Sequence, residues 1–434
     1  MACPLTHEPI PEGTMKKLTT FILLLILLGM LSGCAKSQDN KKCPEIPVGV
    51  LVGAAESADA SMQKLGYEMA LQQFNANTPS TVCPINLVYA EEGIGTSLNS
   101  SQSILLGLAD QGVVALVGAN SNEASMQAAA ITRNLEIPLV IPGLTADELT
   151  KTDNQWVFRL SASSEAEAQT AVNLVQAELD SGVRFAVLYE NTAFGENAAV
   201  HAANAIMLGN MKLAYYEKYS TASVGFAEQL EAIIAAEADV LYFIANLPGP
   251  ARSMLSTMQL SSLEGIQVIT IGNGFTSAEL QDISNTSYGY EASRLLVVSP
   301  WNDDLPWKPM VDFLSAYKQF SSERPGTLPE IPPVGFAEAY AALSFLANSI
   351  NLTMTDASIA GMESLVEAAE VASFREAVRQ SLRSQFNRPE TILGTIRLDA
   401  LGQNALQPLV LQLSSGKFVT VYPEELAKKD AIFQ

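Results

Sequence analysis

Short apolar runs alternate with longer amphipathic stretches along most of the chain, and that alternation sets the expected architecture. Val48–Val52 is an apolar run of strand length, and Gln63–Asn75 after it carries Leu65, Met69 and Phe74 at helical spacing. Ile85–Tyr89, Val113–Val117 and Pro138–Ile141 are predicted strands, with helices over Ser97–Gln111 and Glu123–Asn134 between them. Strands alternating with helices in this way imply a parallel sheet covered on both faces. The rhythm restarts after Trp156–Arg159. Helices are predicted over Ser164–Leu179 and Gly195–Leu208, and strands over Arg184–Tyr189, Leu213–Tyr219, Asp239–Ile244 and Gln267–Ile271. The expected fold class is therefore α/β, in two successive halves of similar build. Three more helices follow, over Lys308–Phe320, Gly335–Ile350 and Val371–Arg383. The chain closes on Thr395–Leu398, Pro408–Leu413 and Phe418–Tyr422, read as antiparallel strands with turns at Gly402 and Gly416.

The N-terminus follows a different rule. Lys16 and Lys17 precede the apolar run Phe21–Leu31, which ends on Leu31-Ser32-Gly33-Cys34. A basic start, a short apolar stretch and small residues at its end are the layout of a secretory signal. The run is too short for a comfortable membrane span of about 20 residues. Its close resembles the bacterial lipobox, which implies that Cys34 is lipidated on sulfur and becomes the first mature residue. Residues 1–14 carry Glu8 and Glu12, an unusual opening for a signal, so translation is expected to start at Met15. Residues 35–44 are polar and read as a tether from a membrane.

Composition narrows the function. Without a leader ending at Cys34, about 400 residues remain, which suggests two domains. A formal charge of −21 argues against nucleic acid, whose phosphates would be repelled. Of the four cysteines, Cys3 precedes Met15 and Cys34 is the lipid site, which leaves Cys43 and Cys83 as an expected disulfide in an exported, oxidising setting. The two histidines are His7, in the leader, and His201, in the middle of a predicted helix, so a histidine-based zinc site or a Ser-His-Asp triad is not expected. Gly-x-Ser-x-Gly, Walker A, Cys-x-x-Cys and HExxH patterns are missing. No catalytic activity, metal or cofactor is expected.

A series of segments then carries a resemblance. Gly66–Leu71 with Phe74 and Asn75, Val117-Gly118 with Ser121, and Ile137-Pro138 followed by Pro142–Thr145 and Glu148–Thr150 come first. Val157–Arg159, Phe194-Gly195, Tyr340–Ala342 and Leu393–Asp399 with Gly402 follow in order. Over roughly residues 46 to 422 the chain resembles the periplasmic-binding-protein type I family, in particular its branched-chain amino acid binding branch. The resemblance implies two Rossmann-like lobes with parallel sheets, joined by three crossovers near Arg159–Ser161, Val298–Trp301 and Pro389–Leu393. Lobe 1 is expected over 45–160 and 299–389, lobe 2 over 161–298 and 390–425. It also implies an extracytoplasmic solute-binding lipoprotein that delivers a small polar ligand, such as an amino acid, amide or small carboxylate, to the permease of an ABC importer. A ligand sensor or a partner in envelope assembly is the alternative use of the same fold.

Parallel α/β sheets offer their ligand site at the carboxyl ends of the strands. Two loops there carry hydroxyls ahead of predicted helices: Asn120–Glu123 and Gly143–Glu148, each with capping-box spacing. Helix N-termini also suit a carboxylate, and the resemblance implies that Ser121, Gly143 and Thr145, with Leu144 beside them, hold the acceptor-rich end of the ligand. From the other half, Phe194, Asn246 and Asn273 are expected to face it. Phe194 stands where the family often has tyrosine, and Asn273 where it has the acid that pairs with the ligand's ammonium. Asn273 supplies no charge. The expectation is therefore that Glu190 substitutes as the acid or, preferred here, that the ligand is a neutral amide, a small carboxylate or an apolar-tailed acid. Trp301 and Trp307 around Asp303-Asp304 are read as a packed crossover loop rather than a cage for a cation.

Overall fold

The computed structural model describes residues 45–52, 58–77, 83–90, 94–119, 121–179, 182–260, 265–272, 274–275, 293–355, 368–384, 389–415 and 417–433. The expected leader, Cys34, the 35–44 tether, Cys43, Asn120, Asn273 and Gly416 lie outside the described residues.

The first sheet runs β2-β1-β3-β4-β5, every pair parallel. Its strands are β1 (Ile46–Leu51), β2 (Ile85–Tyr89), β3 (Ala115–Gly118), β4 (Leu139–Ile141) and β5 (Val157–Arg159). β3, β4 and β5 are buried at every residue. Strands covered on both faces read as unbroken apolar runs, which is how they appear in the sequence. Side chains alternate between two cores: Val48 and Val50 enter one, Leu51 the other. Between the strands lie α1 (Ala58–Asn77), α2 (Leu98–Asp110) and α3 (Asn122–Leu135). The expected cap of α3 is displaced by one residue. Ser121, not Asn120, is the N-cap, and its Oγ accepts from the Ala124 N–H at 3.1 Å.

The second sheet runs β14-β13-β10-β9-β8-β6-β7. Its parallel part comprises β6 (Arg184–Glu190), β7 (Lys212–Tyr219), β8 (Val240–Ile244), β9 (Gln267–Ile271) and β10 (Leu295–Ser299). β13 (Leu409–Ser414) and β14 (Lys417–Tyr422) continue it antiparallel. Here too the alternation splits the side chains, with Ala186 and Leu188 of β6 in one core and Phe185 and Val187 in the other. The helices of this half are α4 (Ser164–Glu178), α5 (Ala193–Leu208), α6 (Ala227–Ala235) and α7 (Pro248–Leu260). After them come α8 (Lys308–Ser322), α9 (Val334–Thr355) and α10 (Ala368–Arg383). α9 returns to the first sheet, packing along α1 and against β3 and β4, with α10 on its flank. Gly66 permits the close approach, because a Cβ there would overlap the Phe336 carbonyl oxygen.

Two sequence readings are corrected. Thr395–Leu398 does not form a continuous strand: β12 (Gly394–Thr395) pairs with β11 (Glu390–Thr391), and Leu398 makes only an isolated bridge to Asn404. Asp399 breaks the extension, since its Oδ1 accepts from the N–H groups of Leu401 and Gln403 and tightens the turn. β5 and β10, not predicted as strands, are full members of their sheets. Among the described residues no helix is long and apolar enough to cross a membrane. Cys83, half-buried ahead of β2, is disulfide-bonded.

Candidate functional site

One cavity gathers residues that follow the carboxyl ends of six strands. From the first sheet come Gly143, Leu144 and Thr145 after β4 and Ser161 after β5. Phe194 after β6, Asn246 after β8, Gly272 after β9 and Pro300 after β10 come from the second. Two helical acids complete the wall, Glu167 of α4 and Glu338 of α9.

Of the seven ligand residues named from the sequence, five therefore line a single space: Gly143, Leu144, Thr145, Phe194 and Asn246. Ser121 is not among its lining residues, and its hydroxyl is used as the α3 cap. Asn273 lies outside the described residues. Thr145 does not cap a helix as its spacing with Glu148 suggests. A 3-10 turn follows at Asp147–Leu149, with Ala146 at its N-cap and no side-chain cap, and Thr145 Oγ1 is left buried without a partner.

The Gly143–Ala146 loop is held from behind. Ser161 Oγ accepts from the Leu144 N–H at 3.1 Å and donates to the Leu144 carbonyl at 2.7 Å. Ser164 donates to the Thr145 carbonyl through both its N–H and its hydroxyl. Arg159, 1% exposed, donates to the Ala146 carbonyl at 2.5 Å, to Gln403 Oε1 and to Thr150 Oγ1, and lies 4.0 Å from Asp147 Oδ1. Burial pulls its guanidinium down to about 10, against the opposing pull of Asp147. Arg159 still carries its charge at any ordinary pH.

The acids differ in kind. Glu190, the expected substitute for Asn273, is not among the lining residues. Its oxygens accept from Thr192 Oγ1 at 2.8 Å and from the Asn246 N–H at 2.9 Å, tying the ends of β6 and β8 together. Glu167 Oε2, by contrast, is buried with no hydrogen-bond partner. Among the described residues no hydrogen bond or ion pair reaches the Glu338 carboxyl, which lies against Gly143 so closely that a Cβ at 143 would overlap it. Burial, and then the nearby Glu338, push the Glu167 carboxyl up to about 8. Burial alone pushes Glu338 to about 8. These acids were missed in the sequence, although one acid inside the apolar stretch Val334–Phe345 was a usable signal for Glu338.

Beside the cavity, Asp147 ties the two halves. Its Oδ2 lies 2.7 Å from Lys151 Nζ and 2.6 Å from Nε2 of His201 on α5. Asp147, Glu165 and His201 bring ligand atoms within 4.8 Å of one another. The Lys151 ammonium lies 3.7 Å from Glu165 and offsets part of the acids' charge. Trp301 is buried edge-on against Phe313, Trp307 packs over Gly394, and Asp304 accepts from Thr420, so this segment is a packed loop and forms no cage.

Comparison with known proteins gives a consistent picture. The sequence pattern of the family described as "Periplasmic binding protein" matches residues 45–409. The leucine-specific-binding protein of Salmonella typhimurium is 22% identical over 308 residues, covering 70% of this chain and 79% of the relative. An ABC transporter substrate-binding protein of Desulfitobacterium hafniense, solved with Leu, aligns with a TM-score of 0.67 at 20% identity over 87% of this chain and all of the other. A solute-binding protein of an R. palustris ABC transporter, solved with benzoate, aligns with a TM-score of 0.67 at 17% identity over 89% of this chain and all of the other.

Proposed function

Starting from the fact that this chain belongs to the periplasmic binding protein family, whose members bind solutes and are not enzymes, we propose that it is the solute receptor of an ABC importer. It works outside the cytoplasm, anchored through a lipid on Cys34, and closes two lobes on a small ligand bearing a carboxylate or amide oxygen. The lobes are 45–160 with 299–389 and 161–298 with 390–425. The observation that carries this reading is Thr145 Oγ1: a buried, unpartnered hydroxyl beside strand ends of both sheets. A buried polar atom without a partner is costly, and a ligand oxygen would satisfy it. The relatives solved with Leu and with benzoate share a carboxylate.

The test is a thermal-shift and calorimetry screen of amino acids, amides and small carboxylates, since a ligand that binds only the folded state raises the melting point. Thr145→Val should weaken the best ligand by about 10-fold or more, the worth of a hydrogen bond to a charged group. Equal affinity in wild type and variant would refute the assignment of this loop.

The anchor reading rests on the position of Cys34 after the apolar run. Ile46 of β1 faces Ile85 of β2, which supports a Cys43–Cys83 disulfide, because these cysteines precede the two strands by three and two residues. Such a bridge would contribute about 2–4 kcal/mol. Mass spectrometry of membrane-extracted protein should find lipid on Cys34 and no free thiol at Cys43 or Cys83. Cys34→Ser should leave membranes or accumulate as precursor. A Cys34→Ser protein with unchanged membrane attachment would place the anchor elsewhere.

A further inference from the structure

Granting that this cavity is the ligand site, we propose that Glu167 and Glu338 form its cation pole, so that the bound solute carries a protonated amine as well as the oxygen end held at Thr145. The geometry supplies the argument. Glu338 is 2% exposed and Glu167 5% exposed, and both line the same cavity. One stands on α9, packed on the first sheet, and the other on α4, packed against α5 and the second sheet. A cation between them touches both halves at once and is fully held only when they are together.

Glu190 serves as the internal control. It is as deeply buried, yet its oxygens are satisfied by Thr192 and Asn246. An acid kept for structure is expected to look like Glu190, because an unpaired buried carboxyl is costly. Glu167 Oε2 has no partner, and the Glu338 carboxyl fills the space that a side chain at Gly143 would take. Two further features point to a ligand. Thr145 Oγ1, also unpartnered, lines the same cavity. Residue 143 is glycine, and any side chain there would displace the Glu338 carboxyl.

The groups that act on this pair are few. Arg159 attracts Glu167 from a distance, but its N–H groups are engaged by Ala146, Gln403 and Thr150. The Tyr67 hydroxyl lies near Glu338 and the Tyr242 hydroxyl near Glu167; both are buried and neutral. No lysine or arginine among the described residues lines the cavity. The position of a cation is therefore open. The cavity wall carries two acids, and the preference for an uncharged or purely anionic ligand is revised.

Binding an ammonium here displaces protons. With both carboxyls raised to about 8, the empty site holds protons at pH 7, and a cation would favour the ionised forms. Affinity should therefore rise from pH 6 to pH 8 and then level off. Calorimetry in buffers of different ionisation enthalpy reads the proton release directly.

The experiment uses matched probes on the full chain: each amino acid, its deaminated acid and its decarboxylated amine, with wild type, Glu167→Gln, Glu338→Gln and Thr145→Val. The expected result is that an amine-bearing probe binds wild type, that its deaminated partner binds at least about 10-fold more weakly, and that each Gln variant loses a similar factor. Wild type should release protons on binding, and the double Gln variant should release none. A probe without an amine that binds wild type and both Gln variants equally overturns the cation pole, while its loss in Thr145→Val would leave the oxygen-end reading standing. If no probe shifts the melting point of wild type, both readings fall together.

Discussion

Replacing Arg159 with alanine is expected to cost about 3–5 kcal/mol of folding stability and to abolish ligand binding. Removing the side chain leaves several buried acceptors without their donor, at about 1–3 kcal/mol each. Arg159 is almost wholly buried and meets Asp147, the Ala146 carbonyl, Gln403 and Thr150 at once. Without it, Asp147 keeps Lys151 and His201, but the Ala146 carbonyl loses the Arg159 donor and Gln403 Oε1 is left with Thr150 Oγ1 at 3.4 Å. The Gly143–Ala146 loop would no longer be fixed against β5. Arg159→Lys keeps a charge yet cannot reach several acceptors in a planar fork, and should recover only part of the loss. Urea unfolding measures the first effect and calorimetry the second. An alanine variant within about 1 kcal/mol of wild type would mean that the buried arginine is replaced by water at little cost.

The second expected result is a stability that falls as pH rises between 5 and 8 in the ligand-free protein. Glu167 and Glu338 are raised from 4.5 to about 8 in the folded state. Between those values the folded protein holds protons that the unfolded chain has released. Their contribution is thus complete below about 4.5 and is lost as pH climbs through 8, at up to about 1.4 kcal/mol per pH unit for each acid. Glu190 and Asp303, also raised by burial, act in the same sense. Glu376, lowered by its hydrogen bonds from Arg379, acts in the opposite sense and only below the ordinary carboxylate range. Urea midpoints at pH 5, 6.5 and 8 should decline in wild type and flatten in the Glu167→Gln, Glu338→Gln double variant. A wild-type profile as flat as the variant's would show that these acids are solvated or ionised in the folded state.

The order of strands and helices was legible because a two-faced parallel sheet writes each strand as a compact apolar run. Ten of the strands were found in this way, most within two residues, and the losses have specific causes. β5 is only Val157–Arg159 and ends on a charged residue, which belongs to a loop by any local rule. Its arginine is buried because Gln403, more than two hundred residues later, supplies an acceptor. β10, Leu295–Ser299, is as apolar as its neighbours, but it stands apart from the regular alternation of strand and helix and was not predicted. At the site, the loops after the strands were legible because strand ends can be located without tertiary knowledge. Glu167 was not, since the Ser164–Gln169 stretch has the composition of a solvated helix face, and only the helix's docking beside the cavity turns that face inward. Glu190 was legible as an acid near the site but not as a brace, because its partner Asn246 lies on another strand's loop.

The short segment that meets Arg159 has a consequence for behaviour in a crowd. The Arg159 N–H donates to the Gly402 carbonyl at 2.8 Å, and the Asn404 N–H donates back to the Arg159 carbonyl at 2.9 Å. β5 is the last strand of its sheet, so these bonds occupy the backbone groups that another chain's strand would otherwise seek. At the far end of the other sheet, the β7 edge carries exposed Lys212, Glu217 and Lys218, charges that repel or misalign an incoming strand. The β14 edge receives the Lys428 N–H at the Thr420 carbonyl. At these three edges, another copy's strand is discouraged from joining sheet to sheet.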